Sequence, residues 1–379
     1  MDTMKLRLRF EQQFGNADGC SVWMAPGRIN LIGEHTDYNG GFVFPGAVCQ
    51  SITALIRTCS EPRVRLWAED LGMGCEFDLD DAEGPDTVHF RYVYGVVREL
   101  RERGVDVKGF DAVYGGDVPL AAGMSSSAAL ECCFANALNE LFGGGLDKMA
   151  LALVGQATEH KYVGVKCGIM DQFVSMYGKA GSLVRLDCRS GEFVYYPWHP
   201  EGYRLVLVNS CVKHELVGSP YNDRRNSCER VAAAVGVETL RDCSWEMLEG
   251  VRKEISDEDY RRAKFVLGEC DRVLAVSSAL ERGDYETVGK QMYLTHEGLS
   301  KDYEVSCEEI DFLVEEAVRC GVTGARIMGG GFGGCTINLV REEVYDRFVK
   351  EVQERYKERL GRECKVIPVV IGDGARRIG

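Results

Sequence analysis

Residues 24–41 crowd hydrogen-bonding side chains onto the end of an apolar run. Arg28, Asn30, Glu34, His35, Asp37, Tyr38 and Asn39 follow one another closely there. A folded core cannot take in so many polar groups without partners for them. Glu34, His35 and Asp37 offer acceptors and donors at close spacing, which suits a polyhydroxylated ligand. A second group lies at 119–131, Pro-Leu-Ala-Ala-Gly-Met-Ser-Ser-Ser-Ala-Ala-Leu-Glu. A loop that ends at a helix start aims unpaired N–H groups and a positive dipole end at an anion. Ser125, Ser126 and Ser127 add hydroxyls for phosphate oxygens or Mg²⁺. By residue type alone they could equally cap the helix, since serine is a good N-cap. Three in a row exceed what one cap needs.

Other chemistries lack the spacing they require. No Gly-x-x-x-x-Gly-Lys-Ser/Thr sequence occurs, so there is no Walker-type loop. Gly329-Gly330-Gly331-Phe332-Gly333-Gly334 has the form Gly-x-Gly-x-x-Gly. A dinucleotide loop follows the first strand and opens a helix, whereas this run lies late and leads into strand-like Cys335-Thr336-Ile337. The 16 cysteines include no Cys-x-x-Cys pair, which removes zinc and thioredoxin-like readings. A formal charge of −14 argues against nucleic acid and anionic membrane as partners. No run approaches the roughly 18–20 apolar residues of a membrane span, and the first ten residues form no apolar leader. The expectation is a cytoplasmic, reduced protein. Any field at an anionic ligand must then come from a helix end, a metal ion or one or two arginines.

The elements that must position these groups follow from pattern. Strand-like runs cover 42–48, 51–57 and 64–67, then a helix 88–103 and a strand 110–114. Small and apolar residues predict a buried helix over 127–142, halted by Gly143-Gly144-Gly145. A helix over 147–163 with Asp147 as its cap, a short helix from Asp171, and strands 182–187 and 193–196 come next. Turn-rich Pro197-Trp198-His199-Pro200 marks a boundary, giving lobes 1–200 and 201–379. The second lobe reads as strand 203–208, helices 221–235, 258–282, 284–298 and 307–319, a Gly-rich run 324–334, strand 335–340, helix 342–359 and strand 365–371. Strands and helices without steady βαβ alternation imply an α+β fold.

Ala-Pro-Gly-Arg28-x-Asn30-Leu-Ile-Gly-Glu34-His35-Thr36-Asp37-Tyr38 resembles the signature of the galactokinase family. The segment 119–131 resembles the second motif of the wider GHMP kinases, and Gly-Ala-Arg-Ile-Met-Gly-Gly-Gly-Phe-Gly-Gly-Cys at 324–335 resembles the third. The three stand in the family's order across essentially the whole chain. The resemblance implies a two-lobed GHMP kinase fold with an N-terminal mixed-sheet lobe and a C-terminal ferredoxin-like lobe. It implies ATP-dependent phosphorylation of the C1 hydroxyl of D-galactose, the entry step of galactose catabolism.

By the same resemblance Asp171, in Gly-Ile-Met-Asp-Gln, faces that hydroxyl with Arg28 beside it. Without it, Asp171 would read as a helix cap and Glu159 as a solvated helix face. The sugar contacts implied are Glu34, His35, Thr36, Asp37, Gly168 and Tyr221. The nucleotide contacts are Ala121, Ala122, Gly123, Met124, Ser125, Ser126 and Ser127. Ser127 and Glu159 are the implied Mg²⁺ ligands, two oxygens that leave room for water and phosphate. Phosphoryl transfer is mostly positioning and charge neutralisation, so Asp171 is expected chiefly to orient the nucleophile. Galactose and ATP are the expected partners, without nucleic acid or membrane, and the chain is expected to be a monomer. An N-acetylgalactosamine kinase shares the three motifs. The other alternative is a non-catalytic galactose sensor of the same fold, a kind that loses residues of the serine motif, whereas Ser125-Ser126-Ser127-Ala128-Ala129 is intact here. The chain departs from the family at Met124 for Leu, Ala121 for Gly and Met328 for Thr. Lys213-His214-Glu215-Leu216 also resembles the family, whereas His89, His160, His199, His214 and His296 read as ordinary histidines.

Overall fold

The structure is a computed structural model that describes residues 2–119, 122–212 and 219–379. In chain order the elements are α1 (Thr3–Phe14), β1 (Ser21–Asn30), β2 (Phe42–Val43), β3 (Pro45–Thr58), β4 (Arg63–Ala68), β5 (Met73–Asp78), α2 (Val88–Glu102), β6 (Phe110–Gly116), α3 (Ser126–Leu141), α4 (Lys148–Thr158), α5 (Met170–Tyr177), β7 (Ser182–Asp187) and β8 (Phe193–Pro197). Then follow β9 (Tyr203–Asn209), α6 (Ser219–Val235), α7 (Trp245–Gly250), α8 (Asp257–Glu281), α9 (Tyr285–Lys301), α10 (Glu308–Arg319), β10 (Gly324–Met328), β11 (Cys335–Arg341), α11 (Glu342–Leu360), β12 (Lys365–Pro368) and β13 (Arg376–Arg377).

A six-stranded mixed sheet, ordered β13-β1-β3-β6-β4-β5, organises the first lobe. Among the described residues its one parallel pair is β4 with β6. Side chains alternate across each strand. Ile52, Ala54, Ile56, Phe110 and Ala112 point to one face, against Phe90, Val93, Phe134 and Leu138 of α2 and α3. Leu55 and Val113 point to the other, where Leu6 and Phe10 of α1 cover them. A four-stranded antiparallel sheet, β10-β11-β9-β12, organises the second lobe. Numbered along the chain that order is 2-3-1-4, the ferredoxin-like arrangement. This sheet too is apolar on both faces. Val206, Val208 and Val340 pack beneath helices α6, α8, α10 and α11. Leu205, Leu207, Ile337 and Leu339 pack against Ile29, Leu31, Ile32 and Phe44 of the first lobe. A shared core therefore fixes the two sheets together. The chain end returns to the first sheet, where β13 pairs with β1.

The α+β architecture agrees with the sequence reading, with local differences. The runs 42–48 and 51–57 fall mostly within one 14-residue strand, β3. The helix expected over 147–163 stays α-helical only to Thr158 and finishes as a π turn, Glu159–Val163. Asp147 caps its start by accepting the Ala150 N–H. Five residues of the Gly-rich run form β10, and β12 stops at Pro368. Among the described residues, no helix is long and apolar enough to cross a membrane.

Candidate active site

A β-bulge between Pro26 and Arg28 turns β1 toward the serine loop. A Cβ on Gly27 would lie 2.7 Å from the Met124 carbonyl, so glycine permits the approach. The Arg28 N–H donates to that carbonyl at 3.0 Å. The buried Arg28 guanidinium then grips Asp171 with both arms, Nε to Oδ1 at 2.8 Å and Nη2 to Oδ2 at 3.0 Å. Such a fork-on-carboxylate contact fixes orientation as well as distance. Nη1 donates to the Gly123 carbonyl. Asp171 sits in the first turn of α5, where the helix dipole favours negative charge. The Ser125 hydroxyl also donates to Asp171 Oδ2. Ser125 precedes α3 in the left-handed region, φ 57°, and makes no side-chain cap bond. Its hydroxyl therefore serves Asp171 rather than the helix end.

Glu34, His35, Asp37 and Tyr221 line the same cleft as Arg28 and Asp171. Glu34 Oε1 accepts from Arg326 Nη1 at 3.0 Å and from the Gly329 N–H at 2.9 Å. His35 also adopts a left-handed backbone, φ 59°. Its ring lies 4.8 Å from that of Tyr303 and 5.5 Å from that of Tyr221. Its Nδ1 is 2.8 Å from the Tyr38 hydroxyl, and its Nε2 is buried. Burial, reinforced by the positive charge of Arg224, pushes its pKa down to about 3, so the ring is neutral. Burial and the charge of Asp171 push the Asp37 carboxyl up to about 6. Gly168 packs flat against Asp37, and a Cβ there would fall 2.0 Å from Asp37 Cγ.

On the other side of Asp171, Ser126, Ser127 and Glu159 complete the cleft. Glu159 is buried, and its carboxyl is pushed up to about 7 by desolvation, against a hydrogen bond from Ser127 that lowers it. Behind it Glu131 is fully buried beside Gln172 Nε2, 3.0 Å away, and burial holds its pKa well above the carboxyl range. A second cavity opens from the same serines, with Tyr92, Ser126 and Ser127 belonging to both. Its walls include Leu71, His89 and Tyr114, whose rings stack at 5.7 Å with an 18° tilt between His89 and Tyr114.

Most expected site residues thus converge. Ala122 and Met124 reach the cleft wall, yet both side chains are buried in the core shared by the two sheets. Thr36 does not line the cleft: it is buried, and its hydroxyl faces the carbonyls of Gly33 at 3.1 Å and Phe42 at 2.7 Å. Ala121 and Lys213-His214-Glu215-Leu216 lie outside the described residues. Met328 is buried in the same shared core as Met124. Sequence reasoning missed Arg326, Tyr303 and the walls of the second cavity. Arg326 lay inside the third motif, which was the available signal.

Three family profiles match the chain: the galactokinase galactose-binding signature over residues 8–58, the GHMP kinases N terminal domain over 91–179 and the GHMP kinases C terminal over 276–358. The chain is 39% identical to a galactokinase of Thermotoga neapolitana, over 93% of this chain and 99% of that one. It is 38% identical to a galactokinase of Roseiflexus sp., over 100% and 98%. The crystal structure of Lactococcus lactis galactokinase complexed with galactose superposes with a TM-score of 0.95 at 33% identity, covering 99% of this chain and 100% of that one.

Proposed function

The chain belongs to the galactokinase family of the GHMP kinases, and from that premise we propose that it transfers the terminal phosphoryl group of ATP to the C1 hydroxyl of D-galactose, giving galactose 1-phosphate and ADP. One observation carries the proposal: two cavities meet at Ser126 and Ser127, with the Arg28–Asp171 pair beside the junction. A sugar in the first and a nucleotide in the second would bring acceptor and donor together there. The neutral ring of His35 and the carboxylates of Glu34 and Asp37 supply what a polyol needs. The apolar and aromatic second cavity suits a purine ring, and the α3 N-terminus suits the phosphates.

Asp171 is proposed to orient the C1 hydroxyl and take its proton. Arg28 and Ser125 already occupy part of its hydrogen-bonding capacity, and Oδ1 retains a lone pair for the incoming hydroxyl. Arg28 would also meet negative charge gathering on the transferring group. The donor set near the serines fits Mg²⁺: a hydroxyl and a carboxylate, with no lysine or arginine paired to Glu159 among the described residues. Ser127 and Glu159 would hold the ion, which supplies neutralisation of the phosphate oxygens. The same reading makes lobes of 1–200 and 201–379 and a monomer in the cytoplasm.

ADP release measured against galactose, N-acetylgalactosamine, glucose and arabinose, with Asp171→Ala as control, tests this. Turnover on galactose that Asp171→Ala abolishes is expected. Preference for N-acetylgalactosamine would move the chain to the amino-sugar reading, and galactose binding without turnover would make it a sensor.

A further inference from the structure

Glu269, on α8, is a carboxylate with no exposed surface. A buried charge persists only when its oxygens are fully partnered, and here each has two donors. Oε2 accepts from Arg272 Nε at 2.7 Å and from the Thr295 hydroxyl at 2.8 Å. Oε1 accepts from two successive backbone N–H groups across the lobe boundary, Gly33 at 2.8 Å and Glu34 at 3.2 Å. Gly33 has φ 93° and His35 φ 59°. A backbone bent this way gathers consecutive N–H groups into an anion-binding concavity, and the anion that fills it is a side chain 236 residues away. The residues so gripped are those that send Glu34 and His35 into the cleft, which Glu269 itself does not line. Arg326 holds the Glu34 carboxylate from its other end.

We propose that Glu269 is a positioning residue for the acceptor site: it locks the 33–35 turn from α8, and so sets affinity for the sugar while leaving the nucleotide side untouched. The inference rests on reading the Glu34–His35 side of the cleft as the sugar site. Glu269→Gln would set its amide NH2 against donors whichever way it turns, Arg272 Nε and the Thr295 hydroxyl or the Gly33 and Glu34 N–H groups, and would remove the charge that draws them. Thr295→Val removes one donor to Oε2 and is the milder change.

Both variants and the unaltered chain are assayed for galactose KM, ATP KM and kcat, with galactose binding by calorimetry, below each protein's melting temperature. Expected is a galactose KM raised about tenfold or more in Glu269→Gln, the scale on which small misplacements act, and raised severalfold in Thr295→Val. ATP KM stays within twofold. A merely structural role would lower the melting temperature and the active fraction without separating the two KM values. Unchanged galactose KM in the folded variants, or equal rises in both KM values, overturns the proposal. Should Glu269→Gln not fold, Thr295→Val decides alone. Should the unaltered chain bind galactose without turnover, the kinase reading fails and calorimetry still decides the role of Glu269.

Discussion

Gly168→Ala isolates a single steric contact. Gly168 lies outside the left-handed region, so alanine can take its backbone conformation without strain. The new Cβ would sit 2.0 Å from Asp37 Cγ and 2.1 Å from Oδ2. Carbon atoms pack at about 3.5–4.0 Å, so the Asp37 carboxylate or the loop must move by about 1.5 Å. Displacements of about 1 Å in a binding constellation can cost on the order of 100-fold. The galactose kcat/KM is therefore expected to fall 10- to 100-fold, with ATP KM held within twofold. Overpacking adds a stability cost of about 1–3 kcal/mol, visible in thermal melts. The assay is initial-rate ADP release with each substrate varied in turn, run also for Asp37→Ala and the double variant. With Cγ and the oxygens gone only the Cβ of residue 37, 2.6 Å from the new methyl, still has to give way, so the two costs should sum to less than full additivity. A galactose KM within twofold of the unaltered chain, or strictly additive costs, would refute the reasoning.

Asp171→Asn keeps the shape of the pair with Arg28 but loses the charge and the base, and kcat should fall about 10²- to 10⁴-fold; near-normal turnover would remove Asp171 from the chemistry. Asp37 and His35 should shape stability with opposite signs. Between pH 3.8 and about 6 folded Asp37 holds a proton that the unfolded chain has released, so its contribution falls as pH rises through that window. His35, pushed down from 6.5 to about 3, contributes stability that is lost as pH falls through that range. Asp37→Asn should therefore melt higher than the unaltered chain at pH 7, by the equivalent of about 1–3 kcal/mol, with the gap closing near pH 4, while galactose turnover is lost. A gap independent of pH would contradict the burial account. Glu159→Gln should abolish the rise in melting temperature that Mg²⁺ adds to an ATP analogue; an undiminished rise would exclude Glu159 as a ligand.

Local chemistry made much of this molecule readable. Asp147 caps α4 as a lone Asp before a helical run should, and the unbroken apolar run Leu205-Val206-Leu207-Val208 in β9 marks a strand covered on both faces. The first helix went unread because only Leu6 and Phe10 are buried, too sparse a stripe among charged residues. Exposed Cys49 divided β3 into two apparent strands. The π turn Glu159–Val163 left no mark in the sequence, and its Lys161 pairs with Glu99 of α2 at 2.7 Å, a contact between residues far apart in the chain. The cleft residues within 24–41 and 119–131 are contiguous and could be found together. The Glu269–Gly33 and Arg326–Glu34 contacts join residues more than 230 positions apart, and the second cavity draws its walls from β3 to α3. Such groupings exist only once the sheets have packed. Serine type alone also could not reveal that Ser125 turns to Asp171 rather than capping α3.

Crystals grown with galactose and a non-hydrolysable ATP analogue test the central claim most directly, by the gap between the terminal phosphorus and the C1 oxygen. The account predicts a separation of about 3–3.5 Å, with Asp171 bonded to the C1 hydroxyl and the serines on the phosphates. Ligands lodged apart, or a sugar presenting another hydroxyl to the phosphate, would contradict it.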